Sequence, residues 1–337
     1  MGIDLPLIWA IIIFFGVMMY VVMDGFDLGI GILFPLAPDR FERDVMMNTV
    51  APVWDGNETW LVLGGAGLLA AFPLAYSAIL SALYLPLIFM LLGLIFRGVA
   101  FEFRFKALEH ERHVWDKAFI GGSVSAAFFQ GVALGSYVSG IPMWGDRYVG
   151  SALDWVAPFP LLTGLGLVIT YALLGSTWLV LKTDGELQRR MSAIARPLTL
   201  ALFFFIVAIG VWTPVTQPSI AARWLSWPGS LWLLPIPLLI FVLTGALHRS
   251  LRRRRPHAMP FIFTLALIFV GYTALAISLW PNIIPPSISF WAAASPPQSQ
   301  GFALVGALLV IPFILMYTAW SYYVFRGKVR PHDSGYH

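Results

Sequence analysis

Nine long apolar stretches, separated by short segments that hold almost all of the charge, constrain this chain more than any other feature. The first of them runs from residue 5 to residue 23 without a charged side chain. A helix needs about 20 apolar residues to cross the hydrocarbon core of a bilayer. The stretches predict transmembrane helices over 6–35, 49–73, 77–101, 118–140, 157–181, 198–215, 231–247, 260–280 and 301–325. The sixth and seventh are short, and Pro235 and Pro237 interrupt the seventh, so a count of eight is the alternative. Only 11% of the 337 residues are charged, against about a quarter in a soluble domain. The reading is one all-α, polytopic transmembrane domain over 1–337. Met1-Gly2-Ile3-Asp4 has no basic region, and the apolar run behind it is too long for a signal peptide, so it reads as the first span.

Charge distribution orients the spans. Alternate connections, beginning after the first span, hold 19 of the 21 lysines and arginines. They are Arg40 and Arg43; Arg97, Arg104, Lys106, Arg112 and Lys117; Lys182, Arg189, Arg190 and Arg196; Arg249 and Arg252 to Arg255; and Arg326, Lys328 and Arg330. The other side has Arg147 and Arg223 alone. By the positive-inside rule the N-terminus is periplasmic and the C-terminus cytoplasmic. Basic residues confined to short loops of this kind do not suit nucleic acid. Trp9, Trp144, Trp155, Trp224, Trp227, Trp280 and Trp291 gather on the outer side and read as an interfacial belt. Gly64 to Gly67, Gly121-Gly122-Ser123, and Gly131 with Gly135 allow helices to approach closely.

Acids inside the apolar runs are the candidate site. Asp24 and Asp27 share one face of the first span by their i, i+3 spacing. They lie about 16 and 12 Å from Pro35 at the helical rise, within the cytoplasmic half of the hydrocarbon. An ionised carboxylate there costs roughly 2.5–3.5 kcal/mol, so each needs a partner, a water cavity or a proton. The second span opens with Trp54-Asp55-Gly56-Asn57-Glu58-Thr59-Trp60. Asp55 and Glu58 repeat the spacing, although acids also suit a helix start on dipole grounds. Arg97, near the end of the third span, is placed to neutralise one of these acids. Glu102 is placed to take protons from the cytoplasm, its structural reading being a surface pair with Lys106. Trp54, Asn57 and Trp60 are candidate supporting or interface residues.

No cysteine is present, which excludes thiolate-held haem and iron–sulfur clusters. His110, His113, His248, His257, His332 and His337 all fall in expected cytoplasmic segments. This chain is therefore expected to ligate no haem and no metal. Neither a phosphate-binding glycine loop nor a hydrolytic triad appears. The readable chemistry is proton or ion handling.

Three segments carry a resemblance. They are Asp24-Gly-Phe-Asp-Leu-Gly-Ile-Gly31, Asn48-Thr-Val-Ala-Pro-Val-Trp-Asp-Gly-Asn-Glu-Thr-Trp60, and Phe96-Arg-Gly-Val-Ala-Phe-Glu-Phe-Arg104. With the C-terminal stretch from Pro286 through Tyr317-Thr-Ala-Trp320 to Val329, the chain resembles subunit II of the cytochrome bd-type quinol oxidases, including their cyanide-insensitive relatives. The resemblance implies a complex in the bacterial inner membrane with a haem-bearing subunit I. It implies haem b and haem d, or haem b in place of d, in that partner, and no haem here. It also implies quinol oxidation, reduction of O2 to water, and uptake of the protons from the cytoplasm. A small single-helix accessory subunit, membrane lipids and a structural quinone are further expected partners. Carried over by motif, Asp24, Asp27, Asp55 and Glu102 are proton-pathway candidates, and Glu58 stands where an acid or an amide is accepted. The rival readings are a proton- or cation-coupled transporter and a purely structural membrane subunit.

Overall fold

A computed structural model describes residues 3–227, 229–253 and 258–329. Arg254, Arg255, His257, Arg330, His332 and His337 lie outside the described residues.

The chain enters as α1 (Leu5–Leu33), whose N-cap Asp4 accepts from the Leu7 amide and whose first turn holds Pro6. A proline there loses no helical hydrogen bond. A short turn (Phe34–Leu36) leads to the amphipathic α2 (Arg40–Asn48), capped by Asp39. Then come α3 (Trp54–Ala71), α4 (Pro73–Arg104) and α5 (Arg112–Ser139). A two-stranded antiparallel ribbon, β1 (Met143–Trp144) with β2 (Arg147–Tyr148), joins α5 to α6 (Pro158–Lys182). The chain continues through α7 (Gly185–Thr216), α8 (Pro218–Leu225), α9 (Gly229–Leu233), α10 (Pro235–Ser250) and α11 (Met259–Leu279). A second ribbon, β3 (Asn282–Ile284) with β4 (Ile288–Ser289), precedes α12 (Pro297–Val324).

Seven of these helices are long and apolar enough to cross a membrane: α1, α4, α5, α6, α7, α11 and α12. The other two expected spans are occupied by α3 and α10. Helix α3 has 18 residues, and its opening turns are polar; α10 has 16. Pro235 and Pro237 interrupt the seventh expected span: α9 ends at Leu233 and α10 opens at Pro235, with both prolines in its first turn, where their missing N–H groups are unneeded. Two other expectations move. The sixth span is not short, because α7 starts at Gly185 and runs 32 residues. Its charged first turns bury Leu187, Met191 and Ala195 while Arg189 stays out. The connection 36–48 is likewise helical, as α2, with Val45, Met46 and Met47 buried.

Close crossings organise the middle of the molecule. A Cβ added to Gly175 on α6 would lie 2.6 Å from the Gly29 backbone of α1. One added to Gly122 on α5 would lie 2.6 Å from the Gly93 carbonyl of α4. Gly131 and Gly135 meet α6 in the same way, whereas Gly65 and Gly121 face open space. These contacts put α1, α4, α5 and α6 at backbone distance, which dispersion between helices in lipid requires.

The segments expected on one side of the membrane meet one another. Arg104 pairs with Asp44, Arg190 with Glu42 and Lys328 with Asp184, and the Val329 amide donates to the Lys182 carbonyl. At the opposite end Trp291 donates to Asp4, Tyr137 to the Ile283 carbonyl and the Ile141 amide to the Pro285 carbonyl. Of the expected tryptophan belt, Trp144 and Trp227 are exposed, but Trp9 is buried and donates to the Gln300 carbonyl, so it belongs to the packing.

Candidate functional site

The site is built where α1, α3 and α4 come together. Their crossing leaves the C-terminal half of α1 buried, and Asp24 and Asp27 are both 0% exposed within it. Three residues separate them, so they point about 60° apart around the helix. That rotation gives them different partners. Asp24 faces α4, where Arg97 Nη1 lies 2.7 Å from Asp24 Oδ1. Asp27 faces α3, where Asn57 Nδ2 donates to Asp27 Oδ2 over 2.8 Å.

Arg97 is the hub. It is wholly buried, and its Nη2 donates to Glu58 Oε2 over 2.9 Å. Its guanidinium lies 5.6 Å from the Trp54 ring, which stacks on Phe101 at 5.0 Å and 5°. Burying a guanidinium without carboxylate partners is costly; Asp24 and Glu58 supply them from two helices. Glu58 is intermediate in exposure and so connects the buried pair to the surface of α3. Three acids nonetheless face one cation. Asp24 Oδ1 and Oδ2 and Asp27 Oδ1 are buried and have no hydrogen-bond partner among the described residues, Arg97 meeting Asp24 as an ion pair. Asn57 is fixed by a third element: Tyr322 on α12 donates from its hydroxyl to Asn57 Oδ1 over 2.8 Å.

Asp24, Asp27, Glu58, Arg97, Trp54 and Asn57 therefore form one cluster. Asp55 and Glu102 do not join it. Asp55 is exposed on α3, because its 60° offset from Glu58 turns it away from α1 and α4. Glu102 is exposed and lies 3.4 Å from Lys106, the surface pair weighed above. Trp60 is buried against Phe15, edge to face at 5.8 Å, and works as packing.

Two contributors escaped the sequence reading. Tyr322 lies 265 positions from Asn57, inside a C-terminal stretch that the sequence marked only by its resemblance. The second is a separate ion-pair cluster. Arg104, 1% exposed, reaches Asp116 and Asp44 at 2.5 Å each, and Arg43 reaches Asp116 at 2.8 Å. Its acids lie in segments that read as polar connections, and only tertiary contact buries Asp116 and half-buries Asp44. His110 and His113 flank the start of α5, and His248 ends α10.

Comparison with known proteins agrees along the whole chain. The family model described as cytochrome bd terminal oxidase subunit II matches residues 5–325. The chain is 31% identical to the cytochrome bd-I ubiquinol oxidase subunit 2 of Escherichia coli K12, over 98% of this chain and 96% of that protein. It is 30% identical to the cytochrome bd ubiquinol oxidase subunit 2 of Bacillus subtilis 168, over 97% and 96%. The fold superposes on the bd oxidase structure from Geobacillus thermodenitrificans with a TM-score of 0.76 at 17% identity, covering 94% of this chain and 98% of that one.

Proposed function

The chain belongs to the cytochrome bd terminal oxidase subunit II family, and from that premise we propose that its buried acids take up protons from the cytoplasm for the reduction of O2 by the complex. It is a multi-pass subunit of a bacterial inner-membrane quinol oxidase, whose haems belong to the partner, subunit I. The reading adds that haem b and haem d, or haem b in its place, sit in that partner. It adds that this chain ligates none, stabilises subunit I and presents its basic connections to the cytoplasm. A structural quinone or lipid and a small accessory helix are compatible companions.

The observation that supports proton uptake is the bridge made by Arg97 between Glu58, which reaches the surface, and Asp24, which does not. A charged group inside a membrane bundle ordinarily marks an ion or proton route. In this reading Asp55 and Glu102 collect protons at the surface, and Glu58 passes them inward. Arg97 holds the charge balance, and Asp24 and Asp27 form the inner station.

The same bridge also favours a structural reading, because Arg97 ties α1, α3 and α4 together. Asp24→Asn, Asp27→Asn and Asp55→Asn, each in the two-subunit complex, separate the two. Proton uptake predicts slowed O2 reduction with the haem absorption spectrum retained. Full turnover in all three places the route elsewhere. Loss of the haems means that the residue serves assembly.

A further inference from the structure

The row Tyr322–Asn57–Asp27 is continuous in hydrogen bonds and discontinuous for protons. Tyr322 donates to Asn57 Oδ1, and Asn57 Nδ2 donates to Asp27 Oδ2. A carboxamide holds its two protons and accepts none at ordinary pH, so Asn57 links the two groups without relaying a proton. Asp27 keeps its other oxygen, Oδ1, without a hydrogen-bond partner among the described residues.

A small cleft between α3 and α12 ends at this row. Its volume is about 20 Å³, and Gly56, Asn57, Ser321 and Tyr322 are among its lining residues. That is room for one water, beside polar groups able to hold it. The cleft touches Asn57 and Tyr322 but stops short of Asp27, which is fully buried. The tyrosine–amide contact is therefore what stands between a cleft water and the carboxyl group.

The surroundings favour a side-chain movement over a helix movement. Tyr322 packs its ring edge to face on Phe26 at 6.5 Å and on Trp178 at 6.2 Å, and its hydroxyl is held by a hydrogen bond to Asn57. The end of α12 is held: Lys182 of α6 donates to the Phe325 and Gly327 carbonyls. We propose that Tyr322 and Asn57 form a gate that controls proton exchange between the α3–α12 cleft and Asp27. Opening breaks the Tyr322–Asn57 hydrogen bond and lets a cleft water reach Asp27. A proton then passes between that water and the Asp27 carboxyl, while Tyr322 and Asn57 keep theirs. The proposal rests on the proton-uptake reading above and assigns that route an inlet separate from Asp55 and Glu102.

The test follows the carboxyl band of Asp27 by infrared difference spectroscopy in the assembled two-subunit complex, assigned by its loss in Asp27→Asn. Its exchange on transfer from H2O to D2O is the readout. Tyr322→Phe keeps the ring and removes the latch, and should speed exchange roughly tenfold, about what one hydrogen bond holds back. Gly56→Leu adds bulk at a lining residue of the cleft where a Cβ meets nothing within 4 Å and so is accommodated, and should slow exchange by a similar factor. Both should retain the haem spectrum. Unchanged exchange in both variants overturns the gate, as does slower exchange in Tyr322→Phe or the absence of any band assignable to Asp27. If Tyr322→Phe and Gly56→Leu shift exchange while Asp27→Asn leaves turnover intact, the gate stands and the proton-uptake reading fails. If Asp27→Asn slows turnover but neither variant shifts exchange, the gate alone fails.

Discussion

Helix α4 carries two buried arginines seven residues apart, and their surroundings differ in one respect that matters. Arg104 meets Asp44 and Asp116, Arg43 joins Asp116 from α2, and Arg40 reaches Asp44 and Glu109, so three acids face three cations. Arg97 meets Asp24 and Glu58, with Asp27 beside them, so three acids face one cation. The first cluster is balanced, and its Asp44 and Asp116 oxygens are engaged. The second carries surplus negative charge and three buried carboxylate oxygens without a hydrogen bond among the described residues. A buried ion pair is weak evidence of function by itself. Surplus charge inside a bundle is stronger evidence, because it must be relieved by a proton or an ion.

The sharpest way to break this contrast is Arg97→Met. It leaves two buried acids and the half-buried Glu58 uncompensated and should cost roughly 3–5 kcal/mol, read as loss of assembled, haem-bearing complex. Arg104→Met removes a cation from the balanced cluster and should cost about 2–4 kcal/mol in thermal stability. Its distinguishing feature is that turnover per haem in the complex that does assemble stays at the wild-type level. Asp27→Asn should do the reverse: melting within a few degrees of wild type, but O2 reduction slowed about tenfold, equivalent to roughly 1.4 kcal/mol on the barrier. Glu102→Gln removes only an exposed i, i+4 pair and should alter stability by about 0.3–0.5 kcal/mol. Any large fall in its turnover would therefore report proton collection at that residue.

The smallest effect is a pH dependence at the edge of the balanced cluster. Arg40 lies 2.5 Å from the exposed Glu109 and holds its carboxyl below the usual glutamate range. Because the folded state lowers this pKa, the pair stabilises above the unfolded glutamate value. That contribution disappears as pH falls through the folded one. Comparing melting of wild type and Glu109→Gln from neutral to acidic pH should show the small difference vanish at the acidic end.

The contrast also shows which parts of the site could be read in advance. The two buried aspartates and the neutralising role of Arg97 were legible because a charge inside an apolar run is conspicuous on composition alone. The spacing rule did less well. Asp24 and Asp27, like Asp55 and Glu58, share a face by i, i+3 spacing, yet a 60° offset on a helix at the edge of a bundle separates interior from exterior. Asp55 fell outside and Glu58 inside. Asp44 and Asp116 looked like connection residues, because their burial comes from α2, α4 and α5 meeting in space.

From its order of apolar and basic segments alone, the sequence determined a helical membrane protein and the presence of costly acids within the first span. Hydropathy and charge are local properties, and the bilayer acts on them segment by segment. The tertiary structure decided which acid Arg97 neutralises, that Asn57 bridges Asp27 to a tyrosine 265 positions away, and that Asp55 faces outward. Those outcomes depend on how each helix is rotated about its own axis. That rotation accompanies the close glycine crossings between helices; the glycines are local, but which of them meet a neighbour is decided by packing.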